Sequence, residues 1–313
     1  MDRNLALEFV RVTEAAAIAA ARWIGRGDKK KADGAAVDEM RDRFNQINFA
    51  GRIVIGEGQK DEAPELYIGE KVGRGKSPIM DIAVDPLECT ASVAYGRPNA
   101  MSVICSGPKE SLLSAPDTYM EKIVAGPKVA KLIRLDAPVK INIEKTAKVL
   151  GKKVRDITVV VLDKPRHESL INQIRKAGAR VRLITDGDVS GSIATCIPES
   201  GIDLLMGTGG SAEAVLSTTA IKTFGGQIFC RFNPPNEHHK NLLKKSGLNT
   251  KKIYSANDLA KGKVLTFTAT GVIDGPLLKG VRFAGDKIIT HSIVIRSQSG
   301  TVRYITTEHR LNK

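Results

Sequence analysis

Acidic residues follow several short apolar runs that predict buried strands, and acids in such positions could bind metal ions. In open α/β sheets, ligands favour the crevice at the carboxyl ends of the strands, so these side chains can converge on one site. The acids concerned are Glu57, Asp85, Glu88, Asp186, Asp188 and Glu213. Any one of them could instead cap a helix or fill a turn. The segment Asp85-Pro86-x-Glu88-x-Thr90, taken together with Glu57, favours a ligand set.

A cluster of carboxylates is costly, because like charges a few ångströms apart repel and some of the groups must then stay protonated. A divalent cation removes that penalty. The candidate ligands are all hard oxygen donors, which favours Mg²⁺ or Mn²⁺ over zinc. Pro86 restricts Asp85 to an extended conformation and so gives the ligands a rigid mount. Thr90 adds a hydroxyl that could position or deprotonate a water, or could cap a helix.

A second group of residues could bind an anion. The turn Lys164-Pro165-Arg166-His167 follows a predicted strand, and basic side chains beside helix N-terminal amides suit phosphate. The alternative is a solvated basic turn. Segment 207–210 (Gly-Thr-Gly-Gly) lets backbone amides approach a ligand, but it lacks the Lys-Ser/Thr ending of a P-loop. His167 is as consistent with a polar residue at a helix start as with a phosphate ligand. No Ser/His/Asp nucleophilic arrangement is indicated.

The first half of the chain must position these acids, and it predicts two helices followed by short strands. Apolar residues recur at helical spacing within residues 3–24, and Gly25 ends that helix. A second helix is expected over 35–46, after a loop that carries Lys29 and Asp33. Strands bounded by Gly and Pro are expected over 52–55, 79–84 and 99–105.

From about residue 157 strands and helices alternate, which indicates a parallel sheet with helical cover. The expected strands are 157–162, 181–185 and 202–206, and the expected helices are 168–177, 189–196 and 212–224. Residues 231–262 are polar and show no obvious element. Strands return over 264–268, 292–296 and 302–306. The change of rhythm predicts two subdomains, residues 1–155 and 156–313.

The composition is that of a globular protein with excess positive charge. Of 313 residues, 42% are hydrophobic and 26% charged, and 48 Lys+Arg against 34 Asp+Glu give a formal charge of +14. Such charge suits a solvated surface or an anionic substrate. Nucleic acid is disfavoured, because no aromatic residue interrupts the densest basic run at 28–31. The longest apolar stretch is too short to span a membrane. Four cysteines without C-x-x-C spacing argue against a disulfide framework and favour the cytoplasm.

These motifs together resemble the class II fructose-1,6-bisphosphatases of the lithium-sensitive sugar phosphatase superfamily. The markers include Gly25-Arg26-Gly27-Asp28-Lys29, Ala32-Asp33-Gly34-Ala35-Ala36-Val37, Val54-Ile55-Gly56-Glu57-Gly58, Asp81-Ile82-Ala83-Val84-Asp85-Pro86 and Tyr119-Met120-Glu121-Lys122. The resemblance implies an α/β (α+β) fold of alternating helix and sheet layers with the site between two subdomains. It also implies metal-dependent hydrolysis of the 1-phosphate of fructose 1,6-bisphosphate, a reaction of gluconeogenesis.

The resemblance implies roles for particular residues. Metal ligands for Mn²⁺ or Mg²⁺ would be Asp33, Glu57, Asp85, Glu88 and Glu213. Catalytic residues would be Thr90, Asp61 and Lys29. Substrate contacts would be Glu88, Cys89, Thr90, Tyr119, Lys164, Pro165, Arg166, Asp186, Gly187, Asp188 and Gly210. The N-terminal subdomain would bind the metal and the C-terminal subdomain the sugar phosphate. The family generally forms dimers or tetramers.

Two departures from the family pattern stand near the expected site. Cys89 replaces the usual glycine after Glu88, and a side chain there is strained if the backbone needs a positive φ. The usual Gly-Gly-Ala-Pro-Glu-Gly becomes Gly209-Gly210-Ser211-Ala212-Glu213-Ala214. Two alternatives remain open at this point. One is a bisphosphatase acting also or mainly on sedoheptulose 1,7-bisphosphate, and the other is a weakly catalytic protein that binds sugar phosphates.

Overall fold

The computed structural model describes residues 3–57 and 66–310. They divide into two compact units. The first comprises the chain up to Ser114 together with the chain from Lys261 onward, and the second comprises Ala115–Ala260. The expected boundary between residues 155 and 156 falls within the second unit. The division into a metal-binding and a sugar-phosphate-binding subdomain therefore stays a prediction.

The N-terminal part of the first unit supplies the elements that carry the predicted metal ligands. They are helices α1 (Arg3–Ala21), α2 (Lys29–Phe44) and α3 (Thr90–Tyr95), and strands β1 (Ala50–Ile55), β2 (Lys71–Val72), β3 (Ile79–Glu88) and β4 (Ala100–Pro108). The second helix begins at Lys29, because the Asp28 side chain accepts a hydrogen bond from the Lys31 N–H at 3.0 Å and caps it. The expected loop around Lys29 and Asp33 is therefore wrong.

The second unit contains the alternating segment. Its elements are β5 (Tyr119–Ala125), α4 (Val139–Leu150), β6 (Thr158–Leu162), α5 (Glu168–Lys176), β7 (Arg180–Ile184), α6 (Val189–Ala194), β8 (Leu204–Gly210), α7 (Ser211–Thr223), β9 (Gln227–Phe232), α8 (Glu237–Lys245), β10 (Tyr254–Ser255) and α9 (Ala256–Leu259). The alternation is confirmed. The expectation of no element in 231–262 is wrong, because α8, β10 and α9 lie there. Helix α8 is mostly polar and buries only Leu243, so apolar residues do not mark it in the sequence.

The strands of the second unit form one sheet in the order β10-β9-β5-β8-β6-β7. Strand β6 runs parallel to β7 and β8, whereas β5 runs antiparallel to β8 and β9. The expected parallel sheet is therefore mixed. The carboxyl ends of β6, β7 and β8 meet at one edge, so the segments that follow them are brought together there.

The chain returns to the first unit with β11 (Thr266–Ile273), β12 (Arg282–Ala284), β13 (Lys287–Arg296) and β14 (Thr301–Arg310). The described strands of this unit form a sheet in the order β12-β13-β11-β4-β3-β1-β2, with β14 also paired to β13. Within this sheet β1 and β3 are parallel neighbours. The core includes the ring of Phe9, which packs edge-on against Phe44 and Phe49 with centroids 5.9 and 5.4 Å away.

The described residues thus mix helices and sheets, as expected for an α+β sugar phosphatase fold. None of the helices within residues 3–57 and 66–310 combines the length and apolar character needed to cross a membrane.

Candidate active site

Three of the predicted metal ligands come together in the first unit. Glu57 follows β1 by two residues, and Asp85 lies near the end of β3, so the parallel pairing of these strands places both acids at one edge. Asp33 comes from α2. The Glu57 carboxyl lies close enough to Asp33 and Asp85 for both of their side chains to act on its protonation. These three acids thus come from distant parts of the chain, and their role as metal ligands stays a prediction.

The contacts change the protonation of this cluster. Burial raises the pKa of Glu57 well above its ordinary value, and the negative charges of Asp85 and Asp33 raise that pKa further. The cluster is therefore a place where added positive charge is strongly favoured.

The donor chemistry of the cluster fits a hard divalent cation, because all the groups are carboxylates and they repel one another. Within the described part of the chain, no three carboxylate, imidazole or thiol groups already have the arrangement needed to hold a metal ion.

Glu88 ends β3 and Thr90 begins α3, so both follow Asp85 closely in the sequence. The register between β3 and β4 shifts between Asp85 and Glu88, and the Asp85 carboxylate accepts the Leu87 N–H at 3.1 Å. Glu88 is buried. The Thr90 hydroxyl donates to the Leu87 carbonyl at 3.0 Å, which leaves its lone pairs to accept a hydrogen bond from a water. The N-cap of α3 is Cys89, so the alternative cap role for Thr90 is wrong.

Cys89 occupies backbone that favours glycine. Its φ of 69° and ψ of 47° are left-handed, so the strain foreseen for a side chain at this position is present. The side chain is buried in the core of the first unit, and the Asn99 amide donates to its sulfur at 3.8 Å. Cys89 is therefore a packed side chain.

Of the two other predicted catalytic residues, Lys29 and Asp61, only Lys29 lies among the described residues. Lys29 is the first residue of α2, one turn before Asp33, and its ammonium lies 5.5 Å from the centroid of the Tyr95 ring. Asp61 lies outside the described residues, and its role stays a prediction.

Gly56, which precedes Glu57, must be glycine, because a Cβ there would stand 1.9 Å from the Leu66 carbonyl oxygen.

Six predicted substrate contacts lie at the carboxyl edge of the second unit's sheet. The Arg166 guanidinium donates two hydrogen bonds to the Thr208 carbonyl, at 3.1 and 2.9 Å, and lies over the Tyr119 ring, 4.7 Å from its centroid. Lys164 and Asp186 form an ion pair at 3.8 Å. Pro165 begins a short helical turn directly after Lys164, and Gly187, next to Asp186, has a positive φ of 57°. This edge therefore presents two accessible basic side chains, Lys164 and Arg166, and the Thr208 carbonyl holds the Arg166 guanidinium in place.

Asp188 is buried and paired with Lys122, a residue to which the sequence analysis gives no role. Both of its carboxylate oxygens accept hydrogen bonds from the Lys122 ammonium, at 2.9 and 2.8 Å. The Lys122 side chain is fully buried. The available signal was a lysine directly before the apolar end of β5, because a charge buried in a sheet requires a partner. A direct contact of Asp188 with substrate stays a prediction.

Glu213 lies in the first turn of α7 and covers the backbone of Gly210. A Cβ on Gly210 would stand 2.0 Å from the Glu213 Oε2, so glycine is needed there. Burial raises the pKa of Glu213, the Lys122 charge lowers it, and the net shift is upward. Its membership of the metal site stays a prediction.

The comparisons with known proteins agree with these features. Residues 3–309 match the family described as bacterial fructose-1,6-bisphosphatase, glpX-encoded. The whole chain is 45% identical to the class 2 fructose-1,6-bisphosphatase of Haemophilus influenzae, over 98% of that protein. It is 43% identical to fructose-1,6-bisphosphatase 1 class 2 of Escherichia coli, over 97% of that protein. The chain therefore belongs to the bacterial class 2 fructose-1,6-bisphosphatase family.

Proposed function

We propose that this protein removes the 1-phosphate of fructose 1,6-bisphosphate, giving fructose 6-phosphate and phosphate, in gluconeogenesis. It is a phosphoric monoester hydrolase of a metal-dependent family. The observation that carries the proposal is the contact of Glu57 with Asp33 and Asp85 at the ends of two parallel strands. A protein that only binds sugar phosphates has no need of such a costly acidic cluster.

The metal site would consist of Asp33, Glu57, Asp85, Glu88 and Glu213, and would hold Mn²⁺ or Mg²⁺. When bound, such ions supply Lewis-acid stabilisation of the charge on the phosphoryl group. Thr90 would accept a hydrogen bond from the attacking water, because its own proton is donated to Leu87. Asp61 and Lys29 would complete the catalytic group.

The substrate would be held at both ends. The segment Glu88–Thr90 would contact the 1-phosphate, while Lys164 and Arg166, with Pro165 and Tyr119, would bind the 6-phosphate. Asp186 would accept hydrogen bonds from sugar hydroxyls, next to Gly187 and Gly210. Asp188 would also accept a hydrogen bond from a sugar hydroxyl, and its ion pair with Lys122 would anchor this segment. The names of the relatives favour fructose bisphosphate over sedoheptulose bisphosphate.

We further propose a homodimer or homotetramer in the cytoplasm, without a nucleic-acid or membrane partner. The four cysteines are buried and free of disulfides, which suits a reducing compartment. Light scattering on the purified protein tests the oligomeric state.

The central test measures phosphate release from fructose 1,6-bisphosphate in Mn²⁺ for wild type, Asp85→Asn and a control. Asp85→Asn is expected to lower kcat/KM by more than about 100-fold, because a carboxylate at the metal site is lost. The control is Asp274→Asn, which removes an exposed carboxylate of the first unit that is paired with Arg282. This variant is expected to keep wild-type turnover.

A second measurement separates metal binding from folding. Mn²⁺ is expected to raise the Tm of wild type relative to protein in chelator, because it binds only the folded state. The rise should be absent in Asp85→Asn. Wild-type turnover in Asp85→Asn would refute the site assignment.

A further inference from the structure

His167 connects the two strands that border the candidate 6-phosphate site. Its side chain is buried, with the residue 3% exposed. The ring Nδ1 lies 2.8 Å from the carbonyl oxygen of Leu162, at the end of β6. The ring Nε2 accepts the backbone N–H of Thr208, in β8, at 2.7 Å. The imidazole therefore bridges Leu162 at the end of β6 and Thr208 in β8.

The partners determine the protonation of the ring. A carbonyl oxygen can only accept, so Nδ1 must carry the proton, and an amide N–H can only donate, so Nε2 must be unprotonated. His167 is therefore the neutral Nδ1–H form. His167 is the N-cap residue of α5, so the expectation of a polar residue at a helix start is confirmed. With both ring nitrogens engaged inside the protein, it is not a ligand of phosphate.

The imidazole takes the place of missing strand pairing. The parallel ladder between β6 and β8 pairs Val159 with Leu204 and Val160 with Leu205. Further along β8, the N–H of Thr208 is bound by His167 and its carbonyl by the Arg166 guanidinium. Two adjacent side chains of one turn thus satisfy both backbone groups of Thr208, as a neighbouring strand would.

Gly207, the residue before Thr208, leaves room for the His167 ring. Gly207 has a φ of 137°, which side-chain-bearing residues rarely adopt. A Cβ there would stand 3.1 Å from Nε2 of His167. The contact between His167 and β8 therefore depends on glycine at this position.

We propose that His167 is a positioning residue for binding of the distal phosphate. By holding Thr208, it holds the carbonyl to which Arg166 is bound, and so keeps the guanidinium against Tyr119 before substrate arrives. A guanidinium placed in advance loses less conformational freedom on binding. The inference rests on the proposed function of Arg166 as a ligand of the 6-phosphate.

Two substitutions separate the two hydrogen bonds of the ring. The terminal amide of glutamine reaches about as far as Nε2, so His167→Gln can still accept the Thr208 N–H. The shorter asparagine reaches only as far as Nδ1, so His167→Asn keeps the link to Leu162 and loses Thr208. We expect His167→Asn to raise KM for fructose 1,6-bisphosphate roughly 10-fold with kcat within about 2-fold of wild type, whereas His167→Gln stays near wild type.

Two controls identify the group through which His167 acts. With fructose 1-phosphate, which lacks the distal phosphate, His167→Asn should leave KM unchanged. In an Arg166→Ala background, His167→Asn should add no further increase in KM, because the two residues share one path. If Arg166→Ala itself does not raise KM for the bisphosphate, the proposed function of this turn fails.

If Arg166→Ala raises KM, other outcomes count against His167 alone. Equal KM values in wild type and His167→Asn would overturn the inference, as would equal effects of His167→Asn on both substrates. Should His167→Asn fail to fold, His167→Gln decides the matter. A folded His167→Gln protein with KM raised as far as that of Arg166→Ala refutes the role assigned to the Thr208 contact.

Discussion

At the scale of single residues, Cys89 shows how a side chain can stand where the backbone favours glycine. Its left-handed conformation lies between Glu88 and Thr90, both of which the proposed site uses. For a residue with a Cβ such a conformation costs about 1 kcal/mol or more. Burial of the sulfur in the first unit's core offsets part of that cost. Next to the proposed catalytic threonine, packing of the Cys89 side chain thus compensates in part for the strain of its backbone.

This trade can be measured with Cys89→Ala and Cys89→Gly. Both variants lose the sulfur, but only glycine also relieves the left-handed backbone. Cys89→Gly is therefore expected to have a free energy of unfolding about 1 kcal/mol higher than Cys89→Ala, measured by urea denaturation. A Cys89→Ala protein as stable as Cys89→Gly would show that position 89 carries no strain.

At the scale of elements, short helices depend on their caps more than on their own length. The four residues of α9 follow a capping box, in which the Asp258 carboxylate accepts from the Ser255 N–H at 2.8 Å and from its hydroxyl at 2.6 Å. Lys252 donates to the same carboxylate at 2.6 Å. Burial acts to raise the pKa of Asp258, but hydrogen bonds from Lys252 and Ser255 outweigh it and lower the pKa to about 2.

The lowered pKa predicts a pH-dependent contribution to stability. The folded state favours the ionised carboxylate, so the contribution is complete above the ordinary value of 3.8 and is lost as the pH falls toward about 2. With the side chain 31% exposed, screening reduces it to roughly 1 kcal/mol. Wild type should therefore exceed Asp258→Asn in free energy of unfolding at pH 6, and the difference should shrink below pH 4. A difference that stays constant across this range in denaturation experiments would contradict the assignment.

At the scale of the whole molecule, the formal charge of +14 favours approach of a doubly phosphorylated sugar. Some of the basic side chains lie over aromatic rings, in cation–π contacts. Arg26 and Lys31 lie over Trp23, each 5.6 Å from the ring centroid, and Arg97 lies over Tyr95 at 5.3 Å. The basic run contains no aromatic residue of its own, and the fold brings these rings to it.

Attraction of this kind is screened by salt. Raising NaCl from about 20 to about 200 mM should lower kcat/KM for fructose 1,6-bisphosphate by roughly 3- to 10-fold while kcat stays constant. Fructose 1-phosphate carries less charge and should show a smaller decrease. Steady-state kinetics at constant metal concentration test this, and equal decreases for the two substrates would argue against steering by net charge.

The sequence by itself determined the family and the donor types, because the motifs are local. Acids and basic turns after apolar runs are visible from residue type and spacing, and β1, β3 and β6 lie where those runs predict. Helix α8 escaped detection because its sequence is mostly polar and charged and it buries only Leu243.

Only the tertiary structure decided which side chains touch. The contact of Glu57 with Asp33 and Asp85, the ion pair of Lys122 with Asp188 and the bridge from His167 to Thr208 all join distant parts of the chain. Each depends on strand order and register. Apolar patterns specify which residues are buried, but many strand orders bury the same residues equally well. The choice among them is made by packing and backbone pairing across the whole fold.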